Sequence, residues 1–247
     1  SQQALLGADE AMFYEPNMHG YFLEVSHRLI ELKGFPVTTS LTTVGLSSQG
    51  QPEIAKLVAY FKGQGSPGLK VAFSRLKQYE AMMRQIFREE GIPEELIFVG
   101  LVESAYNPYA RSEAGAEGIW QFIRSTGQRY GLKQVGTFDE RHDPEKSTRA
   151  AARYLHDLYQ LLGDWHLALA AYNTGEHRIL RVIQSTGVTD FWQMSARGWL
   201  PQETVRYVPS VLAAMAVGRE ALGLNLISPI GPIRSGPAVQ KAMPAKR

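Results

Sequence analysis

The stretch PEELIFVGLVES, residues 93–104, has the composition of a buried helix that ends on a carboxylate. Pro93 suits the first position of a helix, where its missing N–H would have no partner in any case. Between residues 96 and 102 a single glycine interrupts a run of large apolar side chains, and a helix that is apolar on all sides is a core helix. The sequence therefore predicts one buried helix over this stretch, with Glu103 at its end.

Glu103 is the residue of this stretch that can carry chemistry. A charged carboxylate without a partner among apolar side chains costs several kcal/mol, and a general acid is commonly placed in such surroundings. Position in the helix alone also allows a plainer interpretation, in which Glu103 is a helix-end residue that reaches solvent. The motifs that follow it favour the catalytic interpretation.

Glu103 and Ser104 begin a series of four short motifs. The other three are Gly118-Ile119-Trp120-Gln121, Ala170-Ala171-Tyr172-Asn173-Thr174-Gly175 and Glu203-Thr204-Val205-Arg206-Tyr207-Val208. Each motif alone is weak, but four in this order over about a hundred residues form a specific pattern. The pattern resembles that of the lytic transglycosylases with the goose-type lysozyme fold. Residues 59–65 and 79–93 look like the approach to the catalytic helix in the membrane-bound lytic transglycosylase D subgroup, and the resemblance covers roughly residues 52–218.

The resemblance implies an all-α fold, and although it does not cover residues 1–50 or the tail after about residue 220, we expect three segments in the chain. These are an N-terminal helical and extended extension wrapped around the domain (residues 1–85), a lysozyme-like catalytic domain (residues 86–220) and a Pro/Gly-rich C-terminal tail (residues 221–247). Hydrophobic periodicity independently indicates helices near residues 17–33, 52–62, 69–90, 144–162, 164–173, 176–185 and 201–218. We expect an extended surface segment at residues 37–48 and a further helical pattern leading from Gly118 to Tyr130. Asp143 and Gly163 are the expected ends of the helix at residues 144–162.

The resemblance also implies roles for the motif residues. Glu103 is the single acid/base, Tyr172 points its hydroxyl at Glu103, and Ser112 helps to hold both Glu103 and the sugar. The expected substrate-binding residues are Ser104, Ser112, Gly118, Ile119, Trp120, Gln121, Tyr172, Asn173, Glu203 and Tyr207.

Most of these residues also have a plain structural interpretation. Trp120 could pack beneath the site, Gln121 could cap a helix, and Ser112 could start a turn. Tyr172 could be a buried aromatic residue with a locally satisfied hydroxyl, and Glu203 could be a solvated residue at the start of a helix.

The implied reaction is cleavage of the β-1,4 bond between N-acetylmuramic acid and N-acetylglucosamine in peptidoglycan, with no metal and no cofactor. Glu103 would protonate the glycosidic oxygen, and the muramyl C6 hydroxyl would then attack C1 to give a 1,6-anhydro end. Glycosidases usually employ two carboxylates, so a muramidase of the lysozyme type is an alternative. Its second carboxylate would be Glu117, Asp139, Asp143 or Glu203. A non-catalytic wall-binding scaffold that retains the cleft is the other alternative.

Composition limits the possible partners. A net charge of +2 and a pI near 8.7 are too mild to indicate nucleic-acid binding, and they are compatible with an anionic wall polymer. The chain has no cysteine and therefore no disulfide or thiol chemistry. The resemblance implies peptidoglycan glycan strands as the partner and a periplasmic or outer-membrane-associated location in a Gram-negative bacterium. It also implies a membrane anchor or wall-binding repeats outside these 247 residues.

Overall fold

The computed structural model describes residues 51–223, and it consists mainly of helices. The α-helices are α1 (Gln51–Lys62), α2 (Ser66–Glu89), α3 (Val99–Ser104), α4 (Arg124–Arg129), α5 (Pro144–Leu162), α6 (Trp165–Thr174), α7 (Glu176–Thr186), α8 (Phe191–Ala196) and α9 (Gln202–Ala221). Two 3₁₀ helices, Glu94–Phe98 and Glu140–His142, precede α3 and α5. Strands β1 (Gln134–Val135) and β2 (Phe138–Asp139) form an antiparallel hairpin, with Val135 opposite Phe138. This architecture confirms the all-α prediction.

The stretch at residues 93–104 is buried as predicted, but it is not one helix. It begins with the 3₁₀ helix Glu94–Phe98 and continues as α3. Pro93 has φ −57° and ψ 132°, so it lies before the helical turns rather than in the first of them. The change of helix type is a common one, because 3₁₀ turns are frequent at the ends of α-helices. The apolar side chains from Leu96 to Val102 are completely buried, so the prediction of a core element is correct.

Helix α9 covers this central element. It packs against α1, α3, α6 and the first 3₁₀ helix, while α5 packs against α2 and α6. The apolar side chains of all these elements belong to one continuous core. Glu103, at the C-terminal end of α3, therefore lies under α9 rather than at a free helix end.

The longer helices follow the sequence prediction closely. Asp143 caps α5, because its carboxylate accepts hydrogen bonds from the N–H groups of Glu145 and Lys146, and Gly163 follows the last turn. Asp164 caps α6 in the same way through the N–H of Leu167 (2.9 Å). The pattern from Gly118 to Tyr130 gives a helix only over α4. Helix α8 and the hairpin were not predicted, since elements of six and two residues are too short to show a hydrophobic period.

Three sequence predictions lie outside the described residues. They are the helix at residues 17–33, the extended segment at residues 37–48 and nearly all of the tail. The expected boundary between residues 85 and 86 falls inside α2, which is continuous from Ser66 to Glu89. The division into extension, catalytic domain and tail stays a prediction. No helix within residues 51–223 is both long enough and apolar enough to cross a membrane.

Candidate active site

Glu103 is a buried carboxylate with a hydroxyl donor aimed at it. Only 4% of the residue is exposed, and its Oε1 accepts a hydrogen bond from the Tyr207 hydroxyl (2.5 Å). Tyr207 is completely buried and comes from the second turn of α9. A contact between residues 104 positions apart thus gives the buried carboxylate a partner, as a buried charge requires.

The protonation state of Tyr207 suits this role. Burial, and next to it the Glu103 carboxylate, raise the pKa of Tyr207 well above its ordinary value. The phenol therefore keeps its proton at any pH near neutral and acts as a permanent donor. Tyr207 can hold one oxygen of Glu103 in place while the other takes part in proton transfer.

Tyr172 does not make the contact that the resemblance implies. Its hydroxyl donates to the Trp120 carbonyl oxygen (2.9 Å), and a phenol has a single proton to donate. Burial and the nearby Glu103 charge raise its pKa well above the ordinary value. Tyr172 therefore braces the turn at residues 118–122 beside Glu103, and the expectation that its hydroxyl orients Glu103 is wrong.

Ser104 joins the end of α3 to this same turn. Its hydroxyl donates to the Ile119 carbonyl oxygen (2.8 Å) and accepts a hydrogen bond from the Asn107 N–H (3.1 Å). Both Ser104 and Ile119 are completely buried. This contact between residues 15 positions apart thus holds the motif at residues 118–121 next to Glu103.

The motif at residues 118–121 forms a tight turn rather than a helix start. Gly118 has φ +81°, and a Cβ there would lie 1.9 Å from the Arg141 carbonyl oxygen, so only glycine fits. The Gln121 amide donates to the carbonyl oxygens of Gly118 (2.9 Å) and Ala110 (3.3 Å). Gln121 therefore braces two parts of the loop and does not cap a helix.

Trp120 and Ser112 have structural contacts. The Trp120 ring is completely buried, and its Nε1–H donates to the Thr148 hydroxyl (3.0 Å), which agrees with packing beneath the site. The Ser112 hydroxyl accepts a hydrogen bond from the Ala116 N–H (3.0 Å) and closes the loop that leads to Gly118. Their expected contacts with substrate stay predictions.

Asn173 and Glu203 meet at the end of α6 and the start of α9. The Asn173 Nδ2–H donates to Glu203 Oε1 (3.0 Å). Asn173 is half-buried and Glu203 is exposed, so this pair lies at the surface. The structure brings together two motifs, residues 170–175 and 203–208, that the sequence could only place in order.

Arg141 is a residue of the site region that sequence reasoning missed. It is 4% exposed, and its Nη1 donates to the carbonyl oxygens of Gly115 and Phe122 (2.9 Å each). It also pairs with Asp139 (2.8 Å) and Glu117 (3.2 Å). Arg141 thus holds the loop at residues 111–122 in place through hydrogen bonds to its backbone. In the sequence it is one arginine among polar residues, which carries no signal of burial.

The carboxylates proposed for a hydrolytic mechanism are engaged in other contacts. Glu117 pairs with Arg141 and with the His142 ring, and Asp139 pairs with Arg141. Asp143 caps α5, and Glu203 accepts from Asn173. Within residues 51–223 no group of three or more His, Asp or Glu side chains could hold a metal ion.

Sequence comparison finds a similarity to a known family in the region around Glu103. Residues 82–195 match the family model of the transglycosylase SLT domain. The chain is 45% identical over 131 residues to the membrane-bound lytic murein transglycosylase D of Escherichia coli K12, a match that covers 51% of this chain and 28% of that relative. It is 31% identical over 160 residues to the membrane-bound lytic murein transglycosylase F 2 of Alkalilimnicola ehrlichii, with 60% and 34% covered. The chain thus matches about a third or less of the length of these relatives.

Solved structures support the helical fold. The 70-kDa soluble lytic transglycosylase of Escherichia coli superposes with a TM-score of 0.53 at 22% identity, over 72% of this chain and 32% of that one. A complex of the 70-kDa soluble lytic transglycosylase with bulgecin A gives a TM-score of 0.54 at 18% identity, over 89% and 48%. The chain therefore shares the lysozyme-like helical fold of these proteins.

Proposed function

We propose that the protein is a peptidoglycan lytic transglycosylase with Glu103 as its single acid/base. The observation that carries the proposal is the buried Glu103 carboxylate, held by Tyr207 inside the region that matches the transglycosylase SLT domain. Lytic murein transglycosylases among the relatives support the substrate class.

The proposed reaction needs only one protein carboxyl group. Protonated Glu103 gives its proton to the glycosidic oxygen between N-acetylmuramic acid and N-acetylglucosamine, and the bond to C1 breaks. The resulting carboxylate then takes the proton of the muramyl C6 hydroxyl, whose oxygen bonds to C1. The product ends in 1,6-anhydro-N-acetylmuramic acid, no water is consumed, and Glu103 is protonated again.

The site residues around Glu103 have supporting roles in this proposal. Tyr207 keeps the carboxylate oriented, and Ser104 and Tyr172 hold the turn at residues 118–122 beside it. Ser112, Gln121, Asn173 and Glu203 are the proposed contacts to the glycan strand, together with the backbone of Gly118, Ile119 and Trp120. The hydrolase alternative is weaker, because the candidate carboxylates for activating water are engaged elsewhere.

The proposed place of action follows from the proposed substrate. Peptidoglycan lies outside the cytoplasmic membrane, so we place the protein in the periplasm or at the outer membrane of a Gram-negative bacterium. The names of the relatives include membrane-bound enzymes, which supports attachment to a membrane through a segment outside residues 51–223.

The first prediction is that Glu103→Gln abolishes cleavage of purified peptidoglycan. An amide has nearly the shape of the acid and can still accept from Tyr207, so the fold should persist, but it cannot shuttle a proton. We expect turnover to fall by at least about a hundredfold, the usual scale of general acid–base catalysis. Mass spectrometry of the wild-type products should show ends lighter by one water than hydrolysis products.

Two controls make this experiment decisive. Glu113→Gln, an exposed position of the neighbouring loop, should leave turnover unchanged. In ¹⁸O-labelled water the wild-type product ends should carry no label. Labelled reducing ends would favour the hydrolase, and substantial activity of folded Glu103→Gln protein would assign the acid/base role to another residue.

A further inference from the structure

Thr204 makes a buried contact that links two of the predicted glycan-binding residues. It is completely buried in the first turn of α9, and its hydroxyl lies 2.7 Å from the Asn173 Oδ1. The other end of the same amide donates to Glu203 (3.0 Å). Thr204, Asn173 and Glu203 thus form a short chain of hydrogen bonds from the core to the surface.

The direction of each hydrogen bond in this chain follows from the chemistry of its end. An ionised carboxylate can only accept, so the amide nitrogen of Asn173 must face Glu203. The amide oxygen then faces Thr204, whose hydroxyl must be the donor. A hydroxyl can both donate and accept, but here the carboxylate two bonds away selects a single arrangement.

We propose that Thr204 is a positioning residue that holds the Asn173 amide toward the glycan in the orientation that the Glu203 carboxylate selects. This inference rests on the proposed function, in which Asn173 and Glu203 contact the sugar. The amide has two N–H donors, Glu203 accepts one, and the side-chain rotamer that Thr204 holds also directs the other. Without the Thr204 hydroxyl, the amide oxygen loses its buried partner, and the amide is held less firmly in that rotamer.

Thr204 and Tyr207 both belong to helix α9, and each holds one residue of the candidate site. Thr204 and Tyr207 are three residues apart on α9, so they share a face of the helix. Tyr207 holds the Glu103 carboxylate and Thr204 holds the Asn173 amide. The first two turns of α9 therefore orient the proposed acid/base and the proposed sugar contact together.

The test compares Thr204→Val with Thr204→Ser in cleavage of soluble glycan strands. Valine has the shape of threonine without the donor, whereas serine keeps the donor. We expect valine to raise KM about three- to tenfold, the fold-change that corresponds to one lost hydrogen bond, with kcat within about twofold of wild type. Serine should restore KM. A wild-type KM in folded Thr204→Val protein would overturn the proposal. If the Thr204→Val variant does not fold, Thr204→Ala is used instead.

Thr186→Val is the matched control. The Thr186 hydroxyl also makes a short hydrogen bond, to the Val182 carbonyl oxygen (2.7 Å), but at the end of α7. Its loss should lower stability to a similar degree and leave KM unchanged. An equal rise of KM in both variants would mean that Thr204 acts only through stability.

A double-mutant cycle with Asn173→Ala tests whether Thr204 acts through Asn173. In the Asn173→Ala background, Thr204→Val should change KM less than twofold, because the amide that it holds is absent. If the double variant instead shows the product of the two single effects on KM, Thr204 does not act through Asn173.

An NMR readout separates this proposal from the proposed function. The side-chain N–H signals of Asn173, assigned by their loss in Asn173→Ala, should shift or broaden in Thr204→Val and not in Thr186→Val. This result does not depend on catalysis. If wild-type protein releases no anhydro ends, the proposed function fails while the NMR comparison still decides whether Thr204 holds the amide. Unchanged Asn173 signals in Thr204→Val would overturn the inference even if the enzyme is active.

Discussion

Single hydrogen bonds determine how Glu103 is presented. Two tyrosines lie near this carboxylate, and both have raised pKa values because they are buried and close to its charge. Only the Tyr207 hydroxyl donates to Glu103, while Tyr172 donates to a backbone carbonyl. The two residues therefore have different expected effects, although the resemblance implied that Tyr172 orients Glu103.

At this scale we predict that Tyr207→Phe lowers kcat about tenfold and leaves KM nearly unchanged. The substitution removes the donor that holds Glu103 Oε1 without removing the ring from the core. Hydrogen bonds to charged groups contribute about 1.5–3 kcal/mol, so a moderate loss of stability is also expected. Steady-state kinetics and urea denaturation measure the two effects.

Tyr154→Phe is the matched control for this prediction. Tyr154 is also a buried tyrosine, and it donates to a different carboxylate, Glu176 (3.3 Å). Its loss should affect stability without lowering kcat. Equal loss of kcat in both variants would show that the effect at Tyr207 is not specific to Glu103.

The contact between helix α9 and the first 3₁₀ helix depends on one glycine. A Cβ at Gly218 would lie 2.1 Å from Cε1 of Phe98, whose ring is completely buried. The absence of a side chain therefore allows α9 to lie directly on Phe98. The same helix carries Tyr207 and Thr204, so this packing also determines the geometry of the candidate site.

At the scale of this element we predict that Gly218→Ala destabilises the protein. Overpacking in a core typically costs about 1–3 kcal/mol, which should outweigh the gain of about 1 kcal/mol in helix propensity. Gly127→Ala in α4 is the control, because a Cβ there would meet its neighbours at an ordinary 3.4–3.5 Å. We expect Gly127→Ala to be neutral or stabilising in urea denaturation. A stable Gly218→Ala protein would show that α9 can shift away from Phe98.

At the scale of the whole molecule, a buried charge network connects the loop at residues 111–122 with the hairpin and the start of α5. Arg141 is its centre, with Asp139 and Glu117 as ionic partners and two loop carbonyl oxygens as acceptors. Hydrogen bonds from the Arg141 guanidinium hold the pKa of the Asp139 carboxyl below its usual value. This network makes the stability of the fold depend on pH.

The sign of the pH dependence follows from the lowered pKa of Asp139. A carboxyl group with a lower pKa in the folded than in the unfolded state stabilises the fold fully above its unfolded pKa of about 3.9. That contribution is lost as the pH falls through the lower folded value. We therefore predict that Asp139→Asn reduces the free energy of unfolding by about 1–2 kcal/mol at neutral pH. The difference from wild type should narrow below about pH 4. Urea denaturation of wild type and Asp139→Asn from neutral to acidic pH measures this difference in the free energy of unfolding. A difference that stays the same at every pH would contradict a lowered pKa of Asp139 in the folded protein.

The sequence by itself determined the helical class, the buried stretch before Glu103 and the ends of the longer helices. These features depend on local physics, because a hydrophobic period of 3.6 residues, a capping aspartate or a proline acts within a few residues. Asp143 could therefore be assigned correctly as a helix cap. The local pattern left open whether Glu103 is catalytic or a helix-end residue that reaches solvent, and the resemblance of the four motifs to a family favoured the catalytic role.

Only the tertiary structure decided which side chains meet. The Tyr207 bond to Glu103, the Thr204 bond to Asn173 and the hydrogen bonds of Arg141 to the loop at residues 111–122 join residues that are far apart in the chain or carry no local signal of burial. The first two depend on where α9 lies against α3 and α6, and that position depends in turn on close contacts such as Gly218 on Phe98. A hydroxyl has one proton and so donates to one acceptor, and packing rather than sequence order determines which acceptor lies within its reach.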